Sequence, residues 1–114
     1  KNKSFEFSLQ IIGLYKILQG KNEFVISKQL LRSATSIGAN INEALAGESR
    51  ADFLHKMAIS SKEARETLYW LELLEKSQII SLDYRTYIND CSEIVKILTN
   101  IVKTTKSKLK TKNL

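Results

Sequence analysis

Apolar residues recur along this chain with a helical period, and residues 29–71 show it best. Leu30, Ala34, Ile37, Ile41 and Leu45 fall three or four apart and make one stripe of a helix. Opposite them stand small or polar residues: Ser33, Ser36, Asn40, Glu43 and Gly47. Small groups let neighbouring helices approach closely, so this segment is a packing and assembly element first. The pattern predicts a helix over residues 27–46. Gly38 sits in its middle, where glycine costs about 1 kcal/mol relative to alanine and marks a kink or a close backbone contact.

Three more helices follow from the same period. The first is predicted over residues 4–19, with Ser4 as N-cap and Gly20 just past the end. It carries two apolar stripes, Phe5, Leu9, Ile12 and Phe7, Ile11, Leu14, Leu18, together too wide for one face on a monomer core. Either the helix is deeply buried, or the second stripe meets another subunit; Phe7, Ile11, Leu14 and Leu18 are the candidate oligomer interface. Phe24, Val25 and Ile26 are expected to fold back from the next loop as a lid on the bundle. Ser49-Arg50-Ala51-Asp52 has the form of a capping box and opens a helix over residues 50–76. Its core stripe is Phe53, Met57, Ser61, Ala64, Leu68, Leu71 and Glu75, widened by Tyr69, Trp70, Leu73 and Leu74. Tyr84, Ile88, Cys91, Val95, Leu98 and Val102 alternate as in a coiled coil and predict a last helix over residues 82–105. No period-two segment, internal repeat or linker is visible. Four helices joined by short turns predict an all-α fold, an antiparallel up-down-up-down four-helix bundle, as one domain over residues 1–114.

Composition sharpens this picture. There is no proline, and only four glycines occur in 114 residues, so loops are few and short. At 43% hydrophobic the chain can build a core. A chain of this length still buries only roughly two-thirds of its unfolded surface, so self-association helps it. The net charge of +6 sits at the ends: Lys1 and Lys3 carry +2, and Lys103, Lys106, Lys108, Lys110 and Lys112 carry +5, leaving −1 for residues 4–102. The basic tail, residues 103–114, is either a solvated helix end or an attractor of phosphate and other polyanions. Cys91, the single cysteine, reads as a small buried hydrophobe and excludes an intrachain disulfide, which fits a cytoplasmic location. The opening residues are mixed and contain Glu6, so no secretory leader is expected there, and the missing initial Met is expected to reflect trimming. No apolar run approaches the roughly 20 residues that span a bilayer, so no membrane partner is expected.

Candidate chemistry is sparse. His55 is the only histidine and is placed at a surface or interface beside Leu54 and Lys56. No nucleophilic triad or glycine-rich phosphate loop can be assembled. Cys91 with His55 falls short of a zinc site. Glu43, Glu63, Glu66, Glu72 and Glu75 lack the Glu-x-x-His of a metal-binding bundle. No enzymatic activity, cofactor, metal or small-molecule substrate is therefore expected. Ser36, Asn40 and Glu43 share one face of helix 2 and are expected to form a polar network that fixes bundle register, the alternative being a surface for RNA or a partner. Arg32 and Arg50 stand near enough to clamp Glu43 or contact a phosphate, while Lys62 and Glu66, four apart, can pair. The candidate nucleic-acid contacts are Arg32, Arg50, Lys56, Lys62, Arg65, Lys103, Lys106, Lys108 and Lys110. Tyr15, Tyr84, Tyr87 and Trp70 lie at core-like spacing, which argues against sequence-specific reading of a single strand. Tyr69, Trp70 and Leu73, if exposed, are contact points for a partner protein.

One stretch resembles a known family. Gln29-Leu30-Leu31-Arg32-Ser33-Ala34-x-Ser36-Ile37-x-Ala39-Asn40-Ile41-x-Glu43-Ala44, then Arg50, Asp52-Phe53 and Lys62-Glu63-Ala64-Arg65-Glu66-Thr67-x-Tyr69-Trp70-Leu71, is similar to the bacterial four helix bundle proteins. These are also called 23S-rRNA intervening-sequence proteins, with an older ribosomal-protein-like label. The resemblance implies a left-handed antiparallel four-helix bundle, assembly as a homopentamer, association with rRNA intervening sequences and no enzymatic activity. A related bundle serves a retroelement reverse transcriptase, which implies basic pentamer surfaces that contact nucleic acid. The expectation is a bacterial, cytoplasmic, ring-like homo-oligomer that binds RNA or DNA. The alternative is a scaffold that recruits a partner protein without touching nucleic acid.

Overall fold

The four predicted helices form in the computed structural model, which describes residues 2–112. They are α1 (Asn2–Gly20), α2 (Ile26–Leu45), α3 (Arg50–Ser77) and α4 (Arg85–Lys112). Their boundaries have local chemical causes. The chain leaves α1 not on Gly20 but at Asn22, whose φ of 66° is the left-handed conformation that asparagine tolerates. Glu23 then supplies a cap that the sequence pattern did not reveal. Its buried carboxylate accepts hydrogen bonds from the backbone N–H groups of Val25 at 3.1 Å, Ile26 at 3.0 Å and Ser27 at 2.7 Å. A carboxylate at the positive end of α2 thus satisfies donors the helix leaves free. The Ser27 hydroxyl donates to the Glu23 carbonyl at 2.8 Å, and Gln19 Nε2 donates to Ser27 Oγ at 3.0 Å. Tied this way, the loop leaves Phe24 and Val25 exposed instead of folding them back as a lid; Ile26 alone of the three packs on the core.

Ser49 caps α3, its hydroxyl accepting from the Asp52 backbone N–H at 3.0 Å. The start of α4 falls at Arg85, later than the expected residue 82, because Asp83 turns the chain first. The Asp83 carboxylate accepts from both the guanidinium and the backbone N–H of Arg85 at 3.0 Å, and these bonds lower its pKa to about 2. The helix then runs to Lys112, past the expected end at residue 105, so most of the basic tail is part of α4.

Each helix packs on the next, and α4 returns to α1, closing an all-α bundle of 54 × 23 × 21 Å. Phe7, Ile11, Leu14 and Leu18 fill the core with Leu30, Ala34 and Ile37 of α2, Met57, Ala64, Leu71 and Leu74 of α3, and Tyr84, Cys91, Ile94 and Leu98 of α4. This corrects the expected oligomer interface. Phe7, Ile11, Leu14 and Leu18 are at most 2% exposed within one copy and cannot touch another. The outward stripe is the other one: Phe5 is 63%, Leu9 49% and Ile12 39% exposed. The inward stripe runs the length of α1, whereas the next position of the outward one is Lys16, an exposed charge that resists burial.

Two further seams shift for a polar reason. Leu45 is exposed and Ala44 takes its place in the core, while α3 buries Ser60, Thr67 and Leu74 and leaves Phe53, Leu68 and Glu75 half-buried. The buried hydroxyls are bonded across the interface. Ser60 Oγ donates to the Ile37 carbonyl at 2.8 Å, and Thr67 Oγ1 meets Ser33 Oγ at 2.8 Å. Among the described residues no buried side-chain polar atom lacks a partner, as close packing in a low dielectric demands.

A Lys3–Glu93 ion pair of 3.4 Å sets the first turn of α1 beside α4 well before its end. Of the described helices, α3 packs along α4 more extensively than α1 does. Farther into the core, Cys91 Sγ donates to the Ala64 carbonyl at 3.4 Å. Burial, assisted by the negative charge of Glu72, pushes this thiol from an ordinary 9.0 up to about 12. Among the described residues no helix is long and apolar enough to cross a membrane.

Two outcomes follow. Leu14→Ala is expected to lower unfolding free energy by about 2–5 kcal/mol in urea melts, as for a filled core position. The Cys91 thiol stays neutral in the folded chain and ionises in the unfolded one, so its contribution is complete below about pH 9 and drains away as pH rises toward 12. Between about pH 8 and pH 10, Cys91→Ala is expected to lose about 1 kcal/mol less stability than the unaltered chain in denaturant titrations.

Candidate nucleic-acid interface

The nine candidate cations fall into two groups once the helices are placed. Arg32 and Lys56 lie along the α2–α3 seam and are matched by acids. Arg32 pairs with Glu63 at 3.3 Å and with Glu66, and its Nε donates to Gln29 at 3.2 Å. Lys56 pairs with Glu43 at 3.2 Å. Such exposed pairs contribute at most about 1 kcal/mol each, but they cancel the charge that a phosphate would need. Glu66 is therefore taken by Arg32 across the helices, not by Lys62 along its own helix.

The expected polar network on α2 does not form as a unit. Ser36 Oγ donates back to the Arg32 carbonyl at 2.8 Å, and Asn40 Nδ2 donates to the Ser36 carbonyl at 2.8 Å. Glu43 turns to Lys56 instead. The side chains choose the carbonyl one turn back because it is the nearest acceptor. Register between α2 and α3 is set instead by the buried Ser33–Thr67 and Ser60–Ile37 bonds.

The other seven cations share the surface where α3 and α4 pack antiparallel. Lys62 and Arg65, three apart on α3, meet Lys103 and Lys106, three apart on α4, in a groove of about 420 Å³ with the Ser61 and Thr99 hydroxyls. Lys103 and Lys106 also line a second groove of about 540 Å³ that adds Lys110, and Ser107 links it to a third of about 400 Å³ lined by Arg50 and Lys108. Among the described residues no carboxylate lines any of the three. Arg65 is oriented inside the first groove, its Nη2 donating to Thr99 Oγ1 at 3.1 Å. Thr99 is the one functional side chain the sequence pattern did not single out; its place opposite Arg65 depends on the pairing of two helices.

The turn end of the α3–α4 hairpin mixes both signs, since Lys76, Arg85 and Lys96 lie there among the acids Glu72, Glu75, Asp83, Asp90 and Glu93. The lysines at the C-terminal end of α4 also complement its dipole, which accounts for part of their placement. His55 is exposed and lies outside these grooves. No cluster of three or more His, Cys, Asp or Glu able to hold a metal occurs among the described residues.

Two apolar features remain outside the core. Tyr69 is 56% exposed, its ring edge-on to Trp70 with centroids 5.1 Å apart, and Leu73 follows one turn later. On the α1–α2 side, Phe5 borders a groove of about 510 Å³ lined by Ser4, Ser8, Thr35, Gly38, Ala39 and Asn42. A Cβ on Gly38 would stand 3.6 Å from Ser4 Oγ, an ordinary contact, so this glycine does not mark the close backbone approach its position had predicted.

The family model of the 23S rRNA-intervening sequence proteins matches residues 1–100. The match stops short of Lys103, Lys106, Lys108 and Lys110. A crystal structure of a protein of unknown function from the S23 ribosomal protein family of Bacteroides thetaiotaomicron VPI-5482 is 53% identical. The alignment covers 90% of this chain and 93% of that one, with a TM-score of 0.83. No curated protein matches.

Proposed function

The chain belongs to the 23S rRNA-intervening sequence protein family, and from that premise we propose a homo-oligomeric bundle that binds RNA by its phosphate backbone through the α3–α4 surface. The observation that carries the proposal is the run of three adjoining grooves lined by Arg50, Lys62, Arg65, Lys103, Lys106, Lys108 and Lys110, with no acid among the described lining residues. Cations and hydroxyls without carboxylates suit a polyanion, and Arg65 offers a planar fork for a phosphate. The family's description, 23S rRNA-intervening sequence protein, supports the reading. Neither the family nor its solved member indicates an enzyme.

Assembly belongs to the same proposal. The outward stripe Phe5, Leu9 and Ile12, next to the small-residue groove of α2, suits a second copy. A pentamer, as the resemblance implies, multiplies weak phosphate contacts through effective concentration. The setting is the cytoplasm, where RNA is available and a lone thiol stays reduced.

Two measurements test this reading. Labelled structured RNA titrated at about 50 and about 200 mM salt is expected to lose affinity steeply at the higher salt. Replacing Lys103 and Lys106 together by Gln is expected to weaken binding and to flatten the salt slope by about 2; no binding even at low salt removes the RNA reading. Sedimentation is expected to give a multiple of 13.0 kDa. Phe5→Ser with Leu9→Ser is expected to shift the mass toward a single chain with helicity retained, and a monomeric unaltered protein ends the assembly reading.

A further inference from the structure

We propose that Tyr69 is a stacking platform for one unpaired base whose flanking phosphate lies on Arg65 and Lys62, an inference that rests on the RNA-binding reading above. Lys62, Arg65 and Tyr69 are spaced three and four apart, which lines them up on one face of α3. Tyr69 therefore stands about one turn beyond the Arg65 end of the first groove, roughly 6 Å along the helix axis, the length scale of one nucleotide.

The ring is exposed but braced. Tyr69 is 56% exposed, yet its neighbour Trp70 meets it edge-on at 5.1 Å with 70° between the planes. Trp70 is itself fixed, because its Nε1 donates to Glu66 Oε2 at 3.0 Å, and Glu66 is clamped by Arg32 from α2. An unbraced surface tyrosine gives up rotamer freedom when it binds; here part of that loss is incurred on folding. The clamp also pairs the Glu66 carboxylate, which would otherwise repel a phosphate. Glu72, three residues past Tyr69, is exposed and limits the contact to one base on that side. A π-face accepts any base, so the contact discriminates unpaired from paired nucleotides without reading sequence.

Trp70 is the only tryptophan, so the platform carries its own reporter. The full chain is titrated with a single-stranded oligoribonucleotide, an abasic oligomer of equal length, an RNA duplex of equal length and inorganic polyphosphate, following affinity and Trp70 emission. The single strand is expected to change Trp70 emission and the polyphosphate not. Tyr69→Ser is expected to weaken single-strand binding roughly tenfold, while duplex affinity stays within about twofold and Tyr69→Phe binds as the unaltered chain does. An abasic oligomer that binds as tightly as the base-bearing one overturns the proposal. So does a Tyr69→Ser chain with unchanged single-strand affinity, the result expected if this patch docks a protein. If duplex and polyphosphate bind while bases add nothing, the platform alone falls; if none of the four binds, the RNA reading falls and takes the platform with it.

Discussion

Ser60 and Thr67 of α3 reach across to α2 with hydrogen bonds of 2.8 Å, one to the Ile37 carbonyl and one to Ser33 Oγ. Short side chains let the two helices approach. Thr67 and Ser33 also bond the Glu63 and Leu30 carbonyls of their own helices, whereas the buried Ser60 hydroxyl cannot slide off the Ile37 carbonyl without losing its bond in the core. This pins the register of the bundle's central pair. Everything outward of the seam inherits that register. Arg32 falls opposite Glu63 and Glu66, and Lys56 falls opposite Glu43. One face of α3 is thereby neutralised, and the cations left uncancelled are those on the side that α4 packs against.

The antiparallel α3–α4 hairpin then gathers them. It brings the last turns of α4, rich in lysine, beside the start of α3, where Arg50, Lys62 and Arg65 lie. Glu72 and Glu75 of α3 and Asp90 and Glu93 of α4 lie toward the other end, while Glu63 and Glu66 are taken by Arg32. Lys103, Lys106, Lys108 and Lys110 of the tail thus join Arg50, Lys62 and Arg65 of the body in one basic surface in space. The network that pairs Arg32 with Glu66 has a second effect, since Glu66 also holds Trp70, and Trp70 braces Tyr69. One cross-helix ion pair links the structural seam to the exposed face.

At the other side of the bundle, α1 shows how amounts decide orientation. Both of its stripes are apolar, but the stripe through Phe7, Ile11, Leu14 and Leu18 is continuous and buries more surface than Phe5, Leu9 and Ile12. The core takes the larger, and the smaller is left outside. Glu23 shows a related economy: a single carboxylate closes the loop after α1 and opens α2, because it sits within reach of three successive N–H groups.

The sequence by itself determined four helices, their order and their approximate limits, because a 3.6-residue period needs only local spacing to be visible. It also determined the Ser49 cap and the burial of Cys91, which are properties of one helix end and one stripe. The tertiary structure alone decided which stripe of α1 faces inward, since that is a comparison of burial between two faces of one helix. It alone placed Ser60 and Thr67 in the core, because a hydroxyl reads as polar until its partner on another helix is known. The partner of each cation was likewise undetermined: Arg32, Lys56 and Arg65 look alike along the chain, and only helix pairing gives the first two a glutamate and the third a hydroxyl in an open groove. Period is a property of neighbours in sequence; register between helices is a property of neighbours in space, and the basic surface is made of the second kind.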